Sequence, residues 1–490
     1  MKIPTAIKTR PTKFTPSNPD SSAATLTLNS AVAKAALAAL ADPFNADNTV
    51  ENPSFTKARD TASGELISVT LYAHQVDGQW IASSDWTLDV GPCIGDGELP
   101  ARKHYRHATR LGAIAAVLKD LFFRVEEQVG KLVLETKWAK ELVSLRQWTG
   151  QVHEEIRASD AAASILANLS TIEIFAGTAV ASQALRDQGA TSKLIIEIDK
   201  HALAVGQRAV KPAAVHSDIR DFNGKGMFCD FLIMGAVCTA HSKAGSSKGL
   251  ADANVGPVHQ AAMNAVRDID FKVAIVECAP ELLTPKFKAD ADAWRKAFMR
   301  RGCRVQHRIV DAADFGVPQS RIRTIMIATR GDVNLDEILG FVFPKGQPHE
   351  ASVEDILQPH VADDQHLGHI EASEVVWHIK KRRSARGLKE VGRINGMKHQ
   401  GYRVYDPKNS IGPTMTASGG GRAPCTGAYF INGKVRGLTP REACRMQGLP
   451  EWFEHDTNTR RALKQAGNAL AYPLFQALGI QLASVLKPDI

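Results

Sequence analysis

The sequence predicts an α/β protein: a doubly wound, mostly parallel sheet, followed by a smaller irregular region and preceded by an α+β extension. Three observations predict it. Between Thr171 and Ala328, five strand-length apolar runs (TIEIFAG, KLIIEI, DFLIMGA, KVAIVEC, RTIMIAT) alternate with helical patterns. The runs are continuously apolar, as strands buried on both faces must be. Strand–helix alternation also joins neighbouring strands by crossovers, which places helices on both faces of one sheet.

Composition bounds the rest. The chain has 490 residues, 44% hydrophobic and 23% charged. These are globular values that exclude wholesale disorder, a collagen-like fibre and a disulfide miniprotein. No run approaches the ~18 apolar residues of a transmembrane helix. The N-terminus, MKIPTAIKTRPTKFTPSNPDSS, is basic but lacks an apolar core, so no secretion signal is expected. The Ala-rich stretch Ala31–Ala41 suits a short surface helix. Seven cysteines stand at positions 93, 229, 238, 278, 303, 425 and 444, an odd count with no C-x-x-C pair. That spacing argues against a zinc site or a disulfide framework and for a reducing compartment with free thiols. A net charge of +8 and a pI of 9.0 suggest a polyanionic partner, with nucleic acid one option among others.

Taken in order, residues 1–25 are rich in Pro, Ser, Thr and Lys and read as a mobile arm. Residues 26–165 form an N-terminal extension. Within it, LISVTLYAHQV and QWIASSDWTLDV flank Asp77-Gly78, a hairpin signal. From Ala108 to about Ala158 the pattern turns helical, with a second helix expected over Lys137–Arg157. This extension carries no chemical motif. Residues 166–335 hold the sheet. Residues 336–436 are irregular and basic, with nine Lys or Arg and a single acid, Glu390, between Lys380 and Arg403. Residues 437–490 become helical again and should return to the large domain.

TIEIFAGTAVASQALRDQG reads as a strand, a small-residue turn and a helix. The second strand, KLIIEIDK, ends in Glu197 and Asp199. In Rossmann-like folds such a turn lets a ligand approach the backbone, and an acid ending the second strand bonds ribose hydroxyls. The turn has one glycine, Gly177, where a dinucleotide fingerprint needs three. This points from NAD towards a nucleoside-type ligand such as S-adenosylmethionine, with a ligand-free βαβ unit as the competing reading. AAVHSDIRDF places Asp218 after another short strand, where it could bind an adenine amino group or simply be solvated.

DFLIMGAVCTAHSKAG puts Cys238 just beyond an apolar strand, at the sheet edge where ligands bind. An exposed thiol and a buried, inert one both fit that loop read alone. KVAIVECAP ends its strand in Glu277 at the same edge. A thiol and a carboxyl at neighbouring strand ends could act as nucleophile and general acid.

The order of these motifs resembles the DNA (cytosine-5) methyltransferase family, collinearly from Thr171 to Leu482. FAGTAVAS is similar to the family's F-x-G-x-G cofactor motif. AVCTAHSKAG resembles its P-C-Q loop with the following F-S-x-A-G, and VECA its E-N-V. GVPQSRIRTIMIA matches Q-x-R-x-R through Gln319, Arg321 and Arg323. GLTPREACRMQGLPEWF is close to L-T-P-R-E-x-x-R-x-Q-G-F-P, the most specific match, and LKQAGNALAYPLFQALG to the closing G-N-A-V segment.

The resemblance implies a Rossmann-like methyltransferase fold and a covalent mechanism. Cys238 would add as thiolate to C6 of cytosine while Glu277 supports protonation at N3, making C5 able to attack the methyl of S-adenosylmethionine. Arg323 would hold the base at O2 and Arg321 would brace the same loop. The base would be flipped from double-stranded DNA. Phe175 would lie against the adenine and Gly177 would allow close approach. Glu197 would bind the ribose, Asp218 the adenine, and Asn468 would close the pocket near the methionine end. The basic stretch and TMTASGGGRAPC lie where the family keeps target recognition, with phosphate contacts from Lys and Arg and from Thr414, Thr416 and Ser418. Thr439-Pro440-Arg441-Glu442 reads as a helix start with a capping box, hence as scaffold.

Four positions depart from the family pattern: Val237 for proline, Thr239 for glutamine, Cys278 for asparagine and Ala179 for the second glycine. Cys278 is expected to serve packing. The resemblance implies a cytoplasmic enzyme of the restriction-modification type, with no membrane and no metal partner. RNA as substrate, another one-carbon group, and a catalytically silent DNA-binding protein stand as alternatives. The recognition sequence and oligomeric state are left open.

Overall fold

The computed structural model describes residues 53–57, 67–76, 79–88 and 104–107, parts of 113–154, and most of 165–486. Within that last span, 238–239, 243–245, 331–342, 345–350, 360, 362–369, 385, 395–402 and 418–423 are outside the description. The expected arm, the Ala31–Ala41 helix, the Asp77-Gly78 turn, Cys238 and Thr239 therefore lie outside the described residues.

The N-terminal extension contains a four-stranded antiparallel sheet in chain order: β1 (Pro53–Lys57), β2 (Ile67–Val76), β3 (Gln79–Leu88) and β4 (His104–His107). β2 and β3 pair with Val76 opposite Gln79, as the hairpin reading requires. Described residues of 113–124 and 145–154 are helical. Glu154 ties this helical part to the larger domain. It takes both ends of the Arg186 guanidinium at 2.6 and 2.7 Å and the Lys211 ammonium at 3.0 Å.

The central sheet has seven strands: β5 (Ser170–Ile174), β6 (Thr191–Ile196), β7 (Ala214–His216), β8 (Phe228–Gly235), β9 (Asp270–Cys278), β10 (Cys303–Asp311) and β11 (Ile322–Arg330). Their spatial order is β10-β11-β9-β8-β5-β6-β7. β5 to β9 are mutually parallel, and β11 runs antiparallel to both its neighbours. The sheet is thus doubly wound and mostly parallel, and Rossmann-like as expected. RTIMIAT is its one reversed strand. Only ten residues link β10 to β11, too few for a crossover, so the pair must be antiparallel.

Alternate residues of each strand feed two cores. Phe231, Ile233, Val273, Ile275, Ile325 and Ile327 face one side, with Leu232, Met234, Ala274, Val276, Met326 and Ala328 on the other. The first side is covered by α1 (Val180–Arg186) and by α7 (Tyr472–Leu486), whose Leu474, Phe475, Leu478 and Leu482 are buried with Leu185. α2 (Lys200–Val210) adds Val205 to the same side. The second side is covered by α3 (Gly256–Asp268) and α4 (Lys288–Met299), through Ala262, Val266, Trp294 and Phe298. Cys278 lies in this second core, a packing residue as expected.

The basic region is more regular than its composition suggests. β12 (Val375–Arg383), β13 (Lys389–Ile394), β14 (Arg403–Tyr405), β15 (Ala428–Ile431) and β16 (Lys434–Arg436) form one sheet in chain order, antiparallel except between β14 and β15. It encloses its own small core of Ile370, Val375, Val391, Ile394, Val404, Ala428 and Val435. Register shifts interrupt β12–β13 and β13–β14, which blurs the period-two pattern in the sequence. After it come α5 (Pro440–Met446) and α6 (Thr459–Asn468). Among the described residues no helix is long and apolar enough to cross a membrane.

Candidate active site

The sheet order reverses between β5 and β8, the switch point at whose carboxyl edge α/β proteins bind ligands. Two turns leave that edge side by side. The turn after β5 is tightly wound: Phe175, Gly177 and Ala179 all have positive φ, at 57°, 55° and 57°. Such a backbone is costly for Phe and Ala, and strain of this kind collects at functional sites. Gly177 is free of that cost, and the space where a Cβ would stand is open for 4 Å around. A ligand can therefore reach the backbone here.

Glu197, just past β6, organises the turn. Its Oε2 accepts the Gly177 N–H at 2.8 Å and its Oε1 accepts the Asp199 N–H at 2.8 Å. The structure separates the two acids of KLIIEIDK. Glu197 lies against the turn, whereas Asp199 caps α2 by accepting from His201 N and Ala202 N, and binds Lys464 of α6. Asp218 follows β7, where it caps a short 3-10 turn and pairs with Arg220 at 2.5 Å. The Arg220 guanidinium and N–H hold its pKa down to about 2. Asn468 ends α6 and is exposed. Ile198, next to Glu197, is 66% exposed. The sequence reading passed over it, because an isoleucine in KLIIEIDK looks like one more strand residue.

Strand β8 leads to the thiol loop. Cys238 falls outside the described residues, but its flanks do not. The Val237 carbonyl meets Nε2 of His259 at 3.0 Å, and Nε2 of His241 meets Oδ2 of Asp290 at 3.0 Å. Glu277, next to last in β9, pairs with Gly235 of β8, and its carbonyl accepts the Ala236 N–H at 2.9 Å. Its side chain is buried, with Oε1 2.8 Å from Nε of Arg323. The Nε–H is not aligned along that contact, so the pair is ionic and both atoms keep hydrogen-bonding capacity. The reversal of β11 makes this meeting possible. Ile325 pairs with Glu277, so the start of β11 sits at the carboxyl edge. A parallel strand of this length would put Arg323 roughly 25 Å away.

Arg321 is placed differently from Arg323. It is 3% exposed, and its Nη1 donates to the carbonyls of Met415 and Gly467, both at 3.3 Å. It thus bridges the basic region and the C-terminal segment. The described cysteines offer no competing nucleophile. Cys229, Cys278, Cys303 and Cys444 are buried, and Cys425 is half-buried. Burial pushes the thiols of Cys229 and Cys425 up, and that of Cys444 to about 11.

Residues 169–484 match the family model of the C-5 cytosine-specific DNA methylases. The chain belongs to the DNA (cytosine-5) methyltransferase family. Among curated relatives it is 30% identical over 325 residues to the type II methyltransferase M.HhaI of Haemophilus parahaemolyticus, covering 66% of this chain and 96% of that one. It is 26% identical over 287 residues to the type II methyltransferase M.Bsp6I of Bacillus sp. (strain RFL6), covering 58% and 88%. Among solved structures, the S. pombe Dnmt2 methyltransferase aligns with a TM-score of 0.46 at 16% identity, covering 66% of this chain and 99% of that one.

The remaining family motifs of this methyltransferase converge on a buried polar seam. Gln319 accepts the Met415 N–H at 2.8 Å and donates to the Met446 carbonyl at 3.2 Å. Gln447 donates to the carbonyls of Ala466 and Ala469. Thr439 caps α5, and the capping box with Glu442 is present. In the basic region Glu390, 7% exposed, gathers His378 at 3.0 Å, Arg393 at 2.9 Å and Arg403 at 3.3 Å. Arg393 and Arg403 stand opposite each other on β13 and β14, where two like charges would repel without that acid. Trp377 and Phe430 form an exposed edge-to-face pair at 4.8 Å on the same sheet. Among the described residues no group of three or more His, Cys, Asp or Glu could hold a metal ion.

Proposed function

We propose that this DNA cytosine methyltransferase works on double-stranded DNA with S-adenosylmethionine as donor, through a covalent bond between Cys238 and C6 of a flipped cytosine. The observation that carries this reading is the Glu277–Arg323 pair. It lies beside the strand that leads to Cys238, Glu277 buried and Arg323 half-buried, and both groups retain hydrogen-bonding capacity. A cytosine ring presents N3, the exocyclic amine and O2 along one edge. A carboxyl facing N3 and a guanidinium facing O2 are complementary to that edge.

The residues divide the chemistry. Cys238 adds as thiolate to C6, and the electron pair displaced from the C5–C6 bond makes C5 enamine-like. Glu277 shares its proton with N3 and so relieves the negative charge that addition places on the ring. Arg323 holds O2 and keeps the ring in line with the thiol. Once C5 carries a methyl group, loss of the C5 proton to a base restores the C5–C6 double bond, N3 returns its proton to Glu277, and the thiolate leaves C6. S-adenosylmethionine, when bound, supplies a methyl group on a sulfonium centre. Its site fits the turn after β5. Gly177 leaves open space at the backbone, Glu197 stands ready for ribose hydroxyls, and Ile198 offers apolar surface beside it. Phe175, Asp218 and Asn468 complete that site, and Arg321 acts by bracing rather than by touching the base. The recognition sheet with its Arg393–Glu390–Arg403 cluster meets the phosphates. The setting we assign is a cytoplasmic one, of the restriction-modification type.

Nucleoside mass spectrometry of DNA from cells expressing the chain tests this reading. New 5-methyldeoxycytidine is expected with the native chain and none with Cys238→Ser, which should still bind DNA. Undiminished product in Cys238→Ser would remove the covalent mechanism. An unexpected mass on deoxycytidine would replace the donor, and a product confined to RNA would replace the substrate.

A further inference from the structure

The thiol loop departs from its family at Val237. A proline there fixes φ and leaves no N–H, so it stiffens the chain entering the nucleophile. Valine does neither. The structure provides another restraint at the same peptide. His259, on α3, is completely buried, and its Nε2 lies 3.0 Å from the Val237 carbonyl. A carbonyl only accepts, so Nε2 carries the hydrogen and the ring is the Nε2–H tautomer. Burial lowers the pKa of His259 and favours that neutral form.

The ring cannot swing away. It packs edge-on against Trp294 at 5.7 Å and against His241 at 5.5 Å, both fully buried. His241 belongs to the loop itself and is held in turn by Asp290 on α4 at 3.0 Å. Asp290 also accepts the Leu250 N–H at 2.9 Å, beyond the loop's far end. The loop is therefore pinned at residues 237, 241 and 250 to two helices whose inner faces are core. The carbonyl of residue 237 and the N–H of residue 238 share one planar peptide, so fixing the first fixes the second.

We infer that His259 is a positioning residue for the nucleophile: its hydrogen bond to the Val237 carbonyl orients the peptide entering Cys238, in place of the family's proline. This rests on Cys238 being the nucleophile. His259→Phe keeps an aromatic ring in the pocket but removes the donor. His259→Gln restores an N–H at a similar reach. In the Phe variant kcat should fall about 10–100-fold with KM for DNA and for donor unchanged, the cost of a nucleophile displaced by a fraction of an ångström. The Gln variant should recover most of it. Native kcat in the Phe variant, or no recovery with Gln, overturns the inference.

Two further measurements keep the inference exposed if a variant fails to fold or if no turnover is found. Nitrogen-15 NMR of histidine-labelled native protein should show the Nε2–H tautomer for His259. A Nδ1–H ring or an imidazolium overturns the inference. Alkylation of Cys238 by iodoacetamide, read by peptide mass, should change in His259→Phe and revert in His259→Gln. Equal rates in all three proteins overturn it. Absence of methylated product from the native chain would instead sink the functional reading, and the tautomer and alkylation would still decide the anchor.

Discussion

Single residues at the turn after β5 show how a helix start can be capped from below. The N-cap of α1 is Ala179, which has no side chain able to cap, and the helix's first N–H groups need acceptors. Glu173 supplies one from the middle of β5, its Oε2 accepting the Ser182 N–H at 2.8 Å. The helix dipole favours a carboxylate there. Yet the side chain is completely buried, and burial pushes its pKa from 4.5 to about 7. The sign follows from proton binding. Below pH 4.5 the group is protonated in both states, and its contribution to stability is fully present. As the pH rises towards 7, the unfolded chain ionises before the folded one, and stability falls by about 3 kcal/mol in all before levelling. Glu173→Gln should abolish that slope. Urea unfolding at pH 5 and pH 8 checks it, and parallel stability curves for the two proteins would refute it. At this scale the sequence was informative where chemistry is local. Gly177, Glu197 and Glu277 stand at the strand ends that their motifs implied. Glu173 was hidden, because nothing in TIEIFAG says which way an acid points.

Among the elements, α5 was the most legible and still held something unread. Thr-Pro-x-Glu announces a capped helix start, and the box is present. The same Glu442 also accepts the Gln358 N–H at 2.8 Å and both arms of Arg436, at 2.7 and 2.9 Å. It is the buried anchor of three segments, and capping is only part of its role. Thr439→Ala removes one cap and should cost about 1 kcal/mol. Glu442→Ala leaves the Arg436 guanidinium buried without its partner and should cost about 3–5 kcal/mol. Chemical denaturation of the two variants separates these roles, and equal losses would reduce Glu442 to a cap. Strand β10 is the opposite case. CRVQHRIVD lies at the sheet edge with most of its side chains in partial or full contact with water, so it lacks the apolar run that exposed the central strands. Missing β10 also concealed the reversal of β11, since an antiparallel pair is recognised by its short link. The sheet of the basic region escaped notice for a related reason, its strands being mostly short, basic and bulged.

Across the whole molecule, the family motifs lie far apart in sequence and meet in one seam, a convergence that topology creates and no local pattern encodes. Gln319 and Arg321 come from the approach to β11, Met415 and Thr416 from the basic region, and Gln447 and Gly467 from the C-terminal segment. The tightest point is Gly467 on α6. A Cβ there would stand 2.0 Å from the Thr416 carbonyl oxygen and 2.4 Å from its carbon. Both are backbone atoms, so no rotamer change can make room. The Gly467 carbonyl is also one of the two acceptors of Arg321. Gly467→Ala must therefore push the 414–417 segment off α6 and loosen the bridge that fixes the basic region to the central sheet. Overpacking of this kind costs about 1–3 kcal/mol. The expected outcome is a lower melting temperature together with weaker DNA binding, while Cys229 and Cys444, deep in the sheet and in α5, stay closed to thiol reagents. Reduced stability with native DNA affinity would make the seam purely structural. Native values of both would mean that the basic region and α6 can part without cost, and that Arg321 does not couple them.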